Sequence, residues 1–163
     1  MSRLDSFIRR MQAQRACLDR AAALIADVPG PVLELGLGNG RTYDHLREIL
    51  PDRRIFVFER LVQAHPSCIP PDDDLFLGDF RETLPTAAAR IGAKAALVHA
   101  DFGQGGAASI AAMAQFLAET LATLTAPGAV IVSDQPIDGE GWESLPLPEG
   151  INLRRYFMQR VPR

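Results

Sequence analysis

Only two cysteines, Cys17 and Cys68, occur in the 163 residues, and they do not have the spacing of a zinc or redox pair. A disulfide framework is excluded as the source of stability, and buried thiols in a reducing compartment are expected. No apolar run approaches the roughly 20 residues needed to cross a bilayer, and the N-terminus lacks an uninterrupted signal core. A cytoplasmic chain with no membrane partner is expected. Charge of one sign is also lacking, since 17 basic and 20 acidic residues leave a formal charge of −3. That balance lacks the electrostatic footprint of a phosphate-backbone binder, so no nucleic-acid partner is expected. Neither repeat nor linker interrupts the chain, and 47% apolar with 23% charged residues is ordinary globular composition. Residues 1–163 read as a single domain. A chain of this length buries roughly two thirds of its unfolded surface and needs no metal to hold a core.

What is present begins with an apolar stripe, Leu4, Phe7, Ile8, Met11, Leu18, Leu24 and Ile25, spaced mostly three or four apart. This predicts a leading amphipathic helix over residues 1–28, ended before Pro29-Gly30-Pro31. Arg3, Arg9, Arg10, Arg15 and Arg20 fall between the apolar positions; the stripe favours a cover for the core over a targeting arm, with a lid over a ligand as a second use. Residues 30–135 read as the core. Short apolar strands are predicted at 31–35, 55–58, 75–77, 95–100 and 129–133, with helices at 41–50, 81–91 and up to Leu124 between them. Five such alternations predict an α/β fold, a doubly wound and mainly parallel sheet with helices on both faces. Residues 136–163 hold Pro136, Pro146, Pro148 and Gly139, Gly141, Gly150, so an irregular segment is expected, with a last strand within Leu153–Val161. An incomplete edge there offers a surface for a homodimer.

The most informative segment is Glu34-Leu35-Gly36-Leu37-Gly38-Asn39-Gly40, where a buried strand turns through alternate glycines into a helix carrying Thr42 and Tyr43. Glycines there let a ligand lie against main-chain N–H groups. In a dinucleotide fingerprint a third glycine would stand three places after the second, where this chain has Arg41. Glu34 beside the loop also suits a cationic ligand better than a phosphate. The segment resembles motif I of the class I S-adenosylmethionine-dependent methyltransferases, and two later positions extend the likeness over roughly residues 30–135. Glu59, followed by Arg60, ends the second strand, where the resemblance implies an acid for both ribose hydroxyls. Gly78-Asp79-Phe80 follows the third strand, where it implies that Asp79 accepts from the adenine amino group beside Phe80. The implied cofactor is S-adenosyl-L-methionine, bound by Glu34, Gly36–Gly40, Thr42, Tyr43, Glu59, Arg60, Gly78, Asp79, Phe80 and Asp101.

Methyl transfer from a sulfonium is an in-line displacement, so alignment supplies much of the rate and a base is needed only where the acceptor loses a proton. Asp101 after the fourth strand and Asp134 after the fifth are the candidate catalytic groups, with Gln104 and Gln135 nearby. Asp101 and Asp134-Gln135 also resemble the magnesium ligands of catechol-type O-methyltransferases, but Gln135 stands where asparagine is usual; no metal is the primary expectation. His99, inside a strand, reads as structural. The small size of the chain points to a small-molecule acceptor. A magnesium-dependent enzyme, a non-catalytic binding module and an NAD-dependent oxidoreductase remain the alternatives.

Overall fold

The computed structural model describes residues 2–152 and 154–163. Helix α1 spans Arg3–Leu24 and starts at a reciprocal capping box: Ser2 Oγ accepts from Asp5 N, and the Asp5 carboxylate accepts from Ser2 N, each at 3.0 Å. Its inner face buries Ala13, Gln14, Cys17, Leu18 and Ala21. After α1 the chain turns, and Arg53 donates to three carbonyls of that turn, Ile25, Val28 and Gly30, all at 2.8 Å. Hydrogen bonds from a charged donor are worth more than neutral ones, and of the three carbonyls Ile25 O also accepts from Val28 N. Arg53→Ala is expected to cost about 2 kcal/mol in a urea unfolding measurement.

The strands are β1 (Val32–Leu35), β2 (Ile55–Glu59), β3 (Leu75–Leu77), β4 (Ala95–Ala100), β5 (Thr125–Ser133), β6 (Glu143–Ser144) and β7 (Phe157–Arg160). They form one sheet in the order β3-β2-β1-β4-β5-β7-β6. β1 to β5 pair in parallel, and β7 runs antiparallel to β5 and β6. Side chains alternate between two cores. Val32, Ile55, Val57, Leu97 and Val130 pack beneath α1 and α2 (Arg41–Ile49). Leu33, Leu35, Phe56, Phe58 and Val98 pack on the opposite face, against Leu117 and Leu121 of α5 (Ala107–Leu124). By length and composition alone α5 is apolar enough to cross a membrane, yet its leucines close one side of the sheet. The strand order reverses between β1 and β4, which places a crevice at their carboxyl ends.

Three expectations change. The helix predicted over 81–91 is broken into α3 (Phe80–Thr83), a 3-10 turn at Leu84–Thr86 and α4 (Ala88–Ile91), because Pro85 supplies no N–H to continue the ladder. β5 begins at Thr125 rather than Ala129, taking in Pro127-Gly128 at a register irregularity against β4. The last strand is confined to Phe157–Arg160, and Leu153 lies outside the described residues.

Candidate functional site

The loop after β1 is built around glycines at positive φ. At Gly36 (φ +95°) a Cβ would come within 2.7 Å of the Asp101 carbonyl oxygen, so only glycine lets the ends of β1 and β4 approach this closely. Gly36→Ala is expected to push these strand ends apart and lower the melting temperature by several degrees, about 1–2 kcal/mol, in a thermal melt. At Gly38 (φ +51°) a Cβ would meet no atom within 4 Å, so the backbone there borders open space. The loop is pinned by Glu59. Its Oε2 accepts from Leu37 N (2.8 Å) and Gly38 N (3.1 Å), and its Oε1 from Arg60 N (2.7 Å) and Leu61 N (3.1 Å).

Two adjoining cavities open at this edge. One, of about 270 Å³, is lined by Gly36, Gly38, Glu59, Arg60, Gly78, Asp79, Phe80 and Asp101, together with Phe102, Gln104, Ser109, Ile110 and Met113. The other, of about 230 Å³, lies under α1 and is lined by Phe7, Arg10, Met11 and Gln14 from that helix, by residues of the glycine loop including Leu37 and Asn39, by Arg41 and Thr42 at the start of α2, and by Asp101 and Gln104. Gly36, Gly38, Asp101 and Gln104 border both. Asp79 also caps α3, its Oδ1 accepting from Arg81 N at 2.9 Å.

Asp101 sits where the two cavities meet. One guanidinium nitrogen of Arg10 lies 2.8 and 2.7 Å from its two oxygens, and Gln14 donates to it at 3.2 Å. Asp134 lies behind it, accepting from Phe102 N and Gly103 N at 3.0 Å each. Burial pushes the Asp134 carboxyl above its usual range, and the neighbouring Asp101 charge adds to this against the pull of the two N–H groups. Among the described residues no group of three or more His, Cys, Asp or Glu side chains is arranged to hold a metal ion.

Not every expected binding position reaches the crevice. Glu34 lines neither cavity: it is wholly buried, one oxygen accepting from the Thr42 hydroxyl and the other 2.7 Å from His99 Nδ1. The reason is register. Glu34 and His99 are paired across β1 and β4, and both side chains enter the core beneath α1 and α2. There His99 Nε2 also lies 3.0 Å from the Tyr156 hydroxyl. Burial alone would lower the His99 pKa, but the Glu34 carboxylate, with Asp101 and Asp134 behind it, holds it above the ordinary value. Tyr43 is packed in the α1-side core with Leu46 and Cys68 and lines neither cavity. Gly40, the N-cap of α2, lies against Cys68 and Ala64 instead of the crevice. Asp134 borders neither cavity; it braces the backbone of Phe102 and Gly103.

The α1 residues were missed as site residues. The signal was a gap in the apolar stripe: between Met11 and Leu18, the helical position that continues it carries Gln14, which is buried and polar. Both cysteines are free and buried, and burial pushes the Cys17 thiol up to about 11.

Residues 1–161 match a family model described as S-adenosyl-L-methionine methyltransferase. A crystal structure of an S-adenosyl-L-methionine methyl transferase from Silicibacter pomeroyi DSS-3 is 49% identical, with a TM-score of 0.90 over 98% of both chains. Two more distant structures share the fold. Cofactor-bound Rv0187 from MTB is 17% identical, with a TM-score of 0.55 over 96% of this chain and 89% of that one. The plantazolicin methyltransferase BpumL in complex with SAH is 13% identical, with a TM-score of 0.53 over 76% of this chain and 46% of that one. No curated protein matches the chain. With the model matched over nearly its whole length, the chain belongs to the S-adenosyl-L-methionine methyltransferase family and is an enzyme that uses S-adenosyl-L-methionine as its methyl donor.

Proposed function

We propose that the chain acts as a single cytoplasmic methyltransferase domain, and that the two adjoining cavities hold the methyl donor, which is presented to a small-molecule acceptor. One observation carries the placement. A single crevice at the switch point of the sheet brings together Gly36 and Gly38, the Glu59 carboxylate, Asp79 with Phe80, and Asp101. These residues suit an adenosyl amino acid. Glu59 is oriented by four N–H groups, and its carboxylate would exchange part of that set for the ribose hydroxyls. Asp79 and Phe80 border the far end, where an amino group and an aromatic ring system would be recognised. Gly38 leaves its backbone open to close approach.

The donor supplies an electrophilic methyl group on a sulfonium. The protein's part is to align the two reactants and exclude water, which can account for much of the acceleration of a displacement. Asp101 takes the donor's ammonium, and Asp134 acts as a positioning residue that fixes the segment after β4. The small volume of the cavity beneath α1, about 230 Å³, and the acidic balance of the chain support a small acceptor. Calorimetric titration of the wild type with S-adenosylmethionine, S-adenosylhomocysteine and NAD tests this reading. Micromolar binding of the first two and none of NAD is expected, with Gly38→Val blocking binding because its side chain would project into the cavity. Failure of the folded protein to bind either adenosyl ligand sinks it.

A further inference from the structure

We infer that Arg10, carried on α1, recognises the carboxylate of the donor's amino-acid end, so that Arg10 and Asp101 together form a clasp for a zwitterion. This rests on the donor site proposed above. A zwitterion presents an ammonium and a carboxylate on one carbon, and the matching receptor is an anion and a cation side by side. The structure holds such a pair at the rim shared by the two cavities: Arg10 Nη2 is 2.7 Å from Asp101 Oδ2 and 2.8 Å from Oδ1. The contact is end-on. Only one guanidinium nitrogen engages Asp101, whereas guanidinium has five N–H donors in a planar fork. The remaining donors leave room for a second carboxylate without Arg10 abandoning Asp101.

Three further features favour a binding role over a mere tether for α1. Phe7, Arg10, Met11 and Gln14 fall at helical spacing, and all four line the second cavity. Gln14, only 6% exposed, donates to Asp101 from beneath and so fixes the carboxylate from the side away from solvent. The side chains of Arg10 and Asp101 keep 43% and 25% exposure, so a ligand can reach both. Of the neighbouring arginines, Arg41 lines the same cavity but lies over the Phe7 ring, 5.7 Å from its centroid, and Arg60 lines the Glu59 end of the first cavity.

The test compares S-adenosylmethionine with its decarboxylated analogue, which keeps the ammonium and lacks the carboxylate, by calorimetry on the wild type, Arg10→Gln, Arg10→Lys and Arg41→Gln. The wild type is expected to prefer the intact donor about 30-fold. Arg10→Gln should bring the two ligands close to equal affinity by weakening only the intact donor, with Arg10→Lys intermediate and Arg41→Gln keeping the preference. Equal affinities in the wild type, or an Arg10→Gln loss shared by both ligands, overturn the clasp while leaving the donor site standing. A preference lost in Arg41→Gln and kept in Arg10→Gln overturns it in favour of Arg41. No binding of either ligand by the folded wild type removes the donor site, and the clasp with it.

Discussion

Glu59→Ala is expected to weaken binding of S-adenosylhomocysteine about 100-fold or more, a larger loss than any other single side chain lining the first cavity should produce. Two effects combine. In the donor site proposed here, the carboxylate accepts from two ribose hydroxyls in exchange for part of its N–H set, and charge-assisted hydrogen bonds contribute about 1.5–3 kcal/mol each. The same carboxylate also collects four backbone N–H groups, two from the glycine loop and two from the turn after β2. Removing it leaves those donors to water and frees the loop that must present Gly36 and Gly38. Glu59→Gln is not a mild alternative, because its amide nitrogen would face one of the two N–H pairs. Calorimetry for affinity and a thermal melt for stability separate the parts. A fall in melting temperature with unchanged affinity would show that Glu59 organises the loop and does not bind the donor.

How far the sequence could be read follows from the physics of each element. Strands buried on both faces read as unbroken apolar runs, so Val32–Leu35, Ile55–Phe58 and Ala95–Ala100 were visible, with their carboxyl ends marked by a glycine or an acid. Of the positions expected to bind the donor, Gly36, Gly38, Glu59, Arg60, Gly78, Asp79, Phe80 and Asp101 line one cavity, because parallel strands deliver all their carboxyl ends to one edge. Glu34 was misread since position along a strand says which face a side chain takes but not what waits there. Its partner His99 lies 65 residues away and becomes visible only with the β1–β4 register. The Arg10–Asp101 pair spans 91 residues and depends on how α1 lies across the crevice, which no local pattern encodes. The broken helix after Asp79 was overlooked through Pro85, a local signal that was available.

The network beneath the glycine loop should make Glu34→Leu the most destabilising polar substitution outside the ligand site. Glu34 and His99 are both fully buried, and removing one member of such a pair leaves the other without its counter-charge, at a cost of about 3–5 kcal/mol. For a domain of this size that corresponds to a fall of about 10 °C in melting temperature. The Thr42 hydroxyl loses its acceptor as well. The pH dependence gives a second readout. In the wild type the His99 pKa is raised in the folded state by Glu34, with Asp101, Asp134 and the Tyr156 hydroxyl also close to the ring. Its contribution to stability is therefore fully present below the unfolded value of about 6.5 and is lost as pH rises through the higher folded value. Without Glu34, burial lowers the folded pKa, and the slope reverses: stability should increase as pH rises through about 6.5. The double variant Glu34→Leu with His99→Leu, which restores an apolar match, should recover most of the lost stability. Melts from pH 5.5 to 8.5 decide the matter. An equal loss at every pH, or a double variant no more stable than the single one, would mean that the two side chains fill space without acting as a charged pair.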